Sequence, residues 1–295
     1  MRLALSTSLS SFTKYGVPFV GPLDAYATGL GGAYSVARRV LSSYMGALIR
    51  VRRDSDGTEA DIGFDADGLL DVNALLTFSG LGSAYIVTIY DQSGLGRHVT
   101  CSSLSNQLRI VNSVVLEVVG SNGRPNGYAV NGGEGPYVSA AFTANTSTTL
   151  SAVSSFFMSS AQVVIPRYLS LTKDSALDYY GGDNIGVFVR QDFNARLATV
   201  YNFAYPFSID TALGNTRSAY FRATGSQMEL NIGGTSATSA FSTTLGFNRV
   251  VLSGPGSGSP QSEAGDRHME HVIWQTDIGA TAAAAIRAEQ EAFYA

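Results

Sequence analysis

Ala84 to Thr100 reads AYIVTIYDQSGLGRHVT. An apolar run, Ala84–Tyr90, stops at Asp91 and gives way to Gln92, Ser93, Gly94, Leu95, Gly96, Arg97 and His98. The apolar half predicts a buried strand bounded by a turn signal. In the polar half, Asp and Ser bond local backbone and Gly admits positive φ, so a tight corner follows. Asp91, Gln92, Ser93 and His98 also resemble the parts of a hydrolytic site. A Ser–His–acid site needs its serine on a strained elbow, and Gly-x-Ser-x-Gly is absent here. The corner is therefore expected to be structural, with Asp91 accepting turn N–H groups and His98 holding the loop.

Outward from this corner, the pattern is mostly β. Ala47–Arg53 alternates apolar and basic residues, as a half-buried strand does. Short strands are predicted at Val114–Val119, Tyr128–Val130, Val153–Met158, Ile185–Arg190, Leu197–Phe203, Ser218–Ala223, Met228–Ile232, Arg249–Leu252 and Glu270–Gln275. Turn clusters such as Ser121-Asn122-Gly123 and Gly181-Gly182-Asp183-Asn184 separate them. Helical spacing is read in three places. These are Gly31–Leu41, Gly68–Phe78 with Asp71 as N-cap, and an Ala-rich terminal helix, Gly279–Tyr294, capped by Asp277. Many short strands at this spacing predict an all-β, two-sheet jelly-roll sandwich with a few short helices and a C-terminal helix. An N-terminal arm (1–21) is expected before a single domain (22–295).

Composition narrows the function classes. Only 14% of the 295 residues are charged and the net charge is −4, against roughly 25% charged in ordinary globular chains. No basic stripe favours nucleic acid. No run reaches the ~20 apolar residues of a membrane span. The start of the chain reads as mature sequence rather than a signal peptide. One cysteine, Cys101, forms no intrachain disulfide and reads as a small core residue. Three scattered histidines give no metal-ligand spacing, and no cofactor is expected.

The first third carries a specific pattern. It contains Gly21-Pro22-Leu23-Asp24, Ala33-Tyr34-Ser35-Val36-Ala37-Arg38-Arg39, Ser42-Ser43-Tyr44-Met45-Gly46-Ala47-Leu48, Asp61-Ile62-Gly63, and Tyr90-Asp91-Gln92-Ser93-Gly94 with Arg97-His98. In this order, over roughly residues 21–100, the chain resembles the catalytic domain of α-L-arabinofuranosidase B. Similar segments occur in phage virion proteins with a concanavalin-like, LamG-like jelly roll. The resemblance implies that fold. It also exposes departures: Leu23 stands where the enzymes have cysteine, and their adjacent cysteine pair has no counterpart near Val163–Tyr168. Their catalytic carboxylates lie where the resemblance fades, so no catalytic residue is carried over. Glu270, in His268-Met269-Glu270, fits a structural glutamate on the final strand.

A retaining glycosidase needs two carboxylates about 5–5.5 Å apart. Those in turns are Asp178, Asp183, Asp192, Glu263 and Asp266. Tyr179, Tyr180, Asp183 and Asn184 combine aromatic faces with hydroxyl-matching groups, a composition suited to sugar binding; a plain hairpin turn uses the same residues. The expectation drawn is a phage or phage-like virion protein: a head spike, decoration or tail-fibre component. It would be made without a signal peptide and displayed in multiple copies on the particle. Its partners would be host-surface carbohydrate and, through the arm, other virion proteins. The alternatives are an active arabinofuranosidase-like glycoside hydrolase and a purely structural particle protein.

Overall fold

The computed structural model describes residues 18–131, 135–143, 149–157, 159, 167–172, 185–192, 194–201, 208–210, 215–240, 247–253 and 265–295. Nearly all regular structure is antiparallel β, with two α-helices among the described residues. One layer runs Leu30–Ser35, Arg267–Trp274, Thr149–Phe157, Thr216–Thr224, Gln227–Ile232 and Thr235–Ala240, each paired to the next. The other runs from Glu59–Ile62 through Ile49–Arg53 to Ala84–Ile89. It continues through Val99–Thr100, Tyr137–Ser139, Arg249–Leu252, Arg167–Thr172 and the hairpin Ile185–Asp192/Asn194–Tyr201. Two short strands, Arg109–Asn112 and Gly127–Tyr128, join the layers along one side.

Alternation along each strand decides what lies between the layers. Leu150, Ala152 and Phe156 from one layer share a buried cluster with Ile49, Val51, Ile86, Leu169, Leu171 and Leu252 from the other. Burial of these side chains is the main favourable term holding the layers face to face. On the opposite face of the first layer, Val153, Tyr220, Val272 and Trp274 form a second cluster with Leu23, Val40, Ala283 and Ile286. The helix Gly279–Phe293 supplies the last two and covers that face. Trp274 is fully buried, and its indole N–H donates to the Tyr26 carbonyl at 2.7 Å.

The strand expectations hold for Ile49–Arg53, Ala84–Ile89 and Arg249–Leu252. The helix Val72–Ser79 is capped as expected, with Asp71 Oδ1 accepting from the Ala74 N–H at 2.9 Å. Three expectations need correction. Gly31–Leu41 is not helical: Leu30–Ser35 pairs with Arg267–Trp274, and the rest runs extended across the buried face. Every residue from Gly31 to Leu41 is buried, so the apolar spacing of this segment reflects burial on both sides rather than helical amphipathicity. Val114–Val119 is not one strand; it divides into Val115–Leu116 and Val118–Val119, which pair with different partners. At the terminal helix, Asp277 Oδ1 accepts from the Gly279 N–H at 2.9 Å, but the N-cap position belongs to Ile278, whose side chain makes no cap. Residues 1–17 of the expected arm lie outside the described residues. At its end, the Phe19 ring packs beneath the Arg39 guanidinium, 4.7 Å from ring centroid to guanidinium carbon.

Candidate functional site

The corner after Ala84–Ile89 is built around Asp91, which is 1% exposed. Its Oδ1 accepts from the Ala33 and Ser93 N–H groups at 3.0 and 2.9 Å. Its Oδ2 accepts from the Ser93 hydroxyl at 2.8 Å and the Arg97 N–H at 3.0 Å. The return path needs φ of +84° at Gly94 and +69° at Gly96, a region open to glycine at no steric cost. The Asp91 N–H donates to His98 Nδ1 at 3.0 Å, which puts the proton of a neutral His98 on Nε2. Gln92 reaches the other way: Oε1 accepts from the Val40 N–H at 2.8 Å and Nε2 donates to the Arg38 carbonyl at 3.0 Å. These two bonds hold the extended segment after Leu30–Ser35 in place.

This arrangement is unsuited to nucleophilic chemistry. The Ser93 hydroxyl spends its proton on Asp91 rather than on a histidine, and both oxygens of Asp91 are engaged. Tyr90 also acts structurally: its hydroxyl donates to Asp61 Oδ1 at 2.7 Å, beside the two-point Arg50–Asp61 pair. Burial, followed by the Asp61 bond, pushes the Tyr90 hydroxyl up to about 12. Cys101 is buried, and burial pushes its thiol up to about 11, so it is a poor nucleophile.

The final strand carries the other concentration of ionisable groups, divided between its two faces. On the helix-covered face, Glu270 is fully buried and accepts from Arg38 Nε and Nη2 at 2.8 and 3.2 Å, and from Gln290 Nε2 at 3.0 Å. Arg38 also donates to both oxygens of Glu289, at 2.5 and 2.6 Å, and its guanidinium lies 3.9 Å from the Phe293 ring centroid. Against burial, which works the other way, the two glutamates hold Arg38 firmly charged, and Glu289 and Gln290 tie the terminal helix to the sheet. Glu270 is thus a structural carboxylate with no opening to a substrate.

On the inner face, His268 and His271 are 1% and 2% exposed, with ring centroids 5.7 Å apart. Tyr168 lies 5.1 Å from His268 and stacks on Phe156 at 4.1 Å. None of the four imidazole nitrogens has a hydrogen-bond partner. Burial lowers His268 to about 3, and burial together with His268 takes His271 well below 6.5, so both are neutral at neutral pH.

Of the turn carboxylates, Asp266 is fully buried and its Oδ1 accepts from the Ser159 N–H at 3.0 Å. Asp178, Asp183 and Glu263 lie outside the described residues, as do Tyr179, Tyr180 and Asn184, while Asp192 closes the strand Ile185–Asp192. Among the described residues no three His, Cys, Asp or Glu side chains gather as a metal site, and no helix is long and apolar enough to cross a membrane. The unforeseen residue is Arg38. Its sequence signal is a pair of charges, Arg38 and Arg39, inside the mostly apolar run Ala33 to Leu41, and that signal does not name a partner.

Layers, corner and helix together define an antiparallel β-sandwich domain closed on one face by its C-terminal helix. The family model for α-L-arabinofuranosidase B, catalytic, matches residues 22–140, the part that contains the corner. The probable α-L-arabinofuranosidase B of Aspergillus flavus is 36% identical over 104 residues, which span 34% of this chain and 21% of that protein. That of Aspergillus fumigatus is 42% identical over 84 residues, spanning 27% of this chain and 17% of its own. The chain therefore matches about a fifth of the length of these curated relatives. The fold likeness extends further. A GH54 α-L-arabinofuranosidase soaked with a cyclic sulfate inhibitor superposes with a TM-score of 0.70, at 16% identity, over 93% of this chain and 65% of that one. An arabinofuranosidase complexed with arabinofuranosyl-α-1,2-xylobiose does so with the same score and coverage at 15% identity. The chain resembles the α-L-arabinofuranosidase B catalytic domain in sequence over its first part, and in fold over nearly all of it.

Proposed function

We propose that this chain is a glycoside-hydrolase domain that removes arabinofuranosyl groups from polysaccharide. The observation that carries the reading is the coincidence of two likenesses. The matched segment 22–140 holds the corner, and nearly the whole chain follows the fold of arabinofuranosidases. Hydrolysis of this kind uses one carboxyl as acid and a second as nucleophile or base. Glu270 is excluded by its full burial and its three hydrogen bonds to Arg38 and Gln290. Asp183 is the carboxyl we assign, with Tyr179, Tyr180 and Asn184 contacting the sugar beside it; Asp266, fully buried and held by the Ser159 N–H, is set aside on the same ground as Glu270. The test is release of 4-nitrophenol from 4-nitrophenyl α-L-arabinofuranoside. Activity lost in Asp183→Asn, with folding retained, supports the reading; wild-type chain without turnover overturns it.

A second reading, a sugar-binding particle protein without turnover, is favoured by the cysteine count. Cys101 is the only cysteine and it is buried, so the adjacent cysteine pair of the resembling enzymes has no equivalent. On this reading the domain sits on a virion surface and holds host carbohydrate through many weak contacts. Binding on a glycan array without hydrolysis, with co-purification in capsids or tails, favours it over the first.

A further inference from the structure

Arg52, Tyr85, Arg109, Tyr128, Arg267 and Phe157 stand in one row across six strands, and each faces the next across a strand pair. The register pairs Arg52 with Tyr85, Tyr85 with Arg109, Arg109 with Tyr128, Tyr128 with Arg267, and Arg267 with Phe157. Their neighbours Val51, Ala84, Ile86, Leu108, Ile110, Ala129 and Phe156 point into the core, so the six lie on the outer face. All six are half-buried, leaving one side of each group in solvent. Guanidinium carbons lie 5.0–5.4 Å from ring centroids: Arg52 over Tyr85 at 5.2 Å, Arg109 and Arg267 over Tyr128 at 5.1 and 5.0 Å, and Arg267 over Phe157 at 5.4 Å. Five strand spacings make the row about 24 Å long, with like groups recurring about every 9.6 Å.

The charges along the row are not balanced. Arg109 is paired with Glu117 at 2.6 Å. Among the described residues Arg52 makes no ion pair; its Nε donates to Gln107 Oε1 at 2.9 Å. Arg267 makes none either: Nη1 donates to the Val118 carbonyl at 2.8 Å and its buried Nε has no partner. Glu59, opposite Arg52, is the acidic residue at the edge. Stacking against rings fixes each guanidinium in orientation, so less freedom is lost when an anion binds.

We propose that this row is a docking surface for an acidic polysaccharide laid across the strands. Uronate carboxylates would meet the guanidiniums, and apolar sugar faces and edges would meet the tyrosines between them. The spacing of like groups is about the length of a disaccharide unit, which matches a polymer bearing a carboxylate at regular intervals. Nucleic acid is the poorer fit, because three arginines on a chain of net charge −4 give little of the broad phosphate field it needs. The proposal rests on the carbohydrate reading above and adds the class of polymer and where it lies.

The experiment is affinity electrophoresis of the whole chain in gels containing polygalacturonate or neutral linear arabinan. Polygalacturonate should retard the wild type more than arabinan does, and the retardation should fall with salt. Arg52→Gln should weaken it about fivefold to tenfold, as for loss of one charge-assisted contact, with the melting temperature kept. Tyr85→Leu should weaken it without changing the salt dependence. Equal retardation by both polymers, or retardation unmoved by Arg52→Gln and by Arg52→Gln/Arg109→Gln, overturns the proposal. So does a lowered melting temperature with no retardation in the wild type, or a dimer that Arg52→Gln dissociates. Retention of polygalacturonate without turnover of the nitrophenyl arabinoside keeps this surface and removes the hydrolase reading; turnover without retention does the opposite.

Discussion

Asp91 and Glu270 are both buried carboxylates with both oxygens engaged, and they differ in where their partners come from. Three of the four donors to Asp91 lie within six residues, on Ser93 and Arg97. Every donor to Glu270 is remote in sequence or on another element: Arg38 is 232 positions away and Gln290 is on the terminal helix. Asp91 closes a turn; Glu270 fastens three parts of the molecule. Burial alone marks neither as catalytic, since a buried carboxylate held by three or four donors is closed to a substrate.

The largest effect that would break this comparison belongs to Glu270. Glu270→Ala leaves the Arg38 charge buried without its main partner, and should cost about 3–5 kcal/mol in urea unfolding. The double change Arg38→Met/Glu270→Leu should recover much of that loss; if it is as unstable as the single variant, the layer is more than an ion pair.

Next comes Asp91→Ala. It leaves turn N–H groups unsatisfied, and should lower stability by ~1–3 kcal/mol. Sugar hydrolysis or binding should persist in the folded fraction. Intact stability with lost activity would make the corner a site and erase its contrast with a catalytic acid.

A third effect sharpens the contrast by adding groups with no partners. Burial holds His268 near 3 and His271 well below the 6.5 of an unfolded imidazole. The unfolded chain therefore binds these protons first. Stability is whole above pH 6.5 and falls as pH drops from 6.5 toward 3, by at most about 1.4 kcal/mol per unit for each histidine. Urea midpoints at pH 7.5, 6 and 5 measure this. His268→Phe should flatten the dependence, and an unchanged slope would place the proton uptake elsewhere.

The smallest effect is at Asp61, whose pair with Arg50 is half in solvent. Asp61→Asn should change stability by less than about 1 kcal/mol. It should also lower the Tyr90 hydroxyl part of the way, leaving the rise that burial causes, and a spectrophotometric titration of the tyrosines would follow this.

The corner was legible because its chemistry is local. Asp, Ser and two glycines within six positions allow few backbone paths, and the apolar run before them requires a buried strand. The cap at Asp71 was legible for the same reason. Gly31–Leu41 was misread because a segment buried on both sides presents no polar face, and without one a 3.6-residue period cannot be told from a filled interior. The role of Glu270 as a structural acid was legible as a class; its partners were not, since nothing near position 270 points to Arg38.

By itself, then, the sequence determined an all-β sandwich, its terminal helix, and the Tyr90-Asp91-Gln92-Ser93-Gly94 corner. Those features depend on periodicity and on bonds that span a few residues. Only the tertiary structure decided that Leu30–Ser35 is a strand against Arg267–Trp274, that Arg38 and Glu270 meet, and that three arginines and three rings from six strands stand in one row. Each of these requires a strand register between distant segments, and register is set by which faces the folded layers bury together.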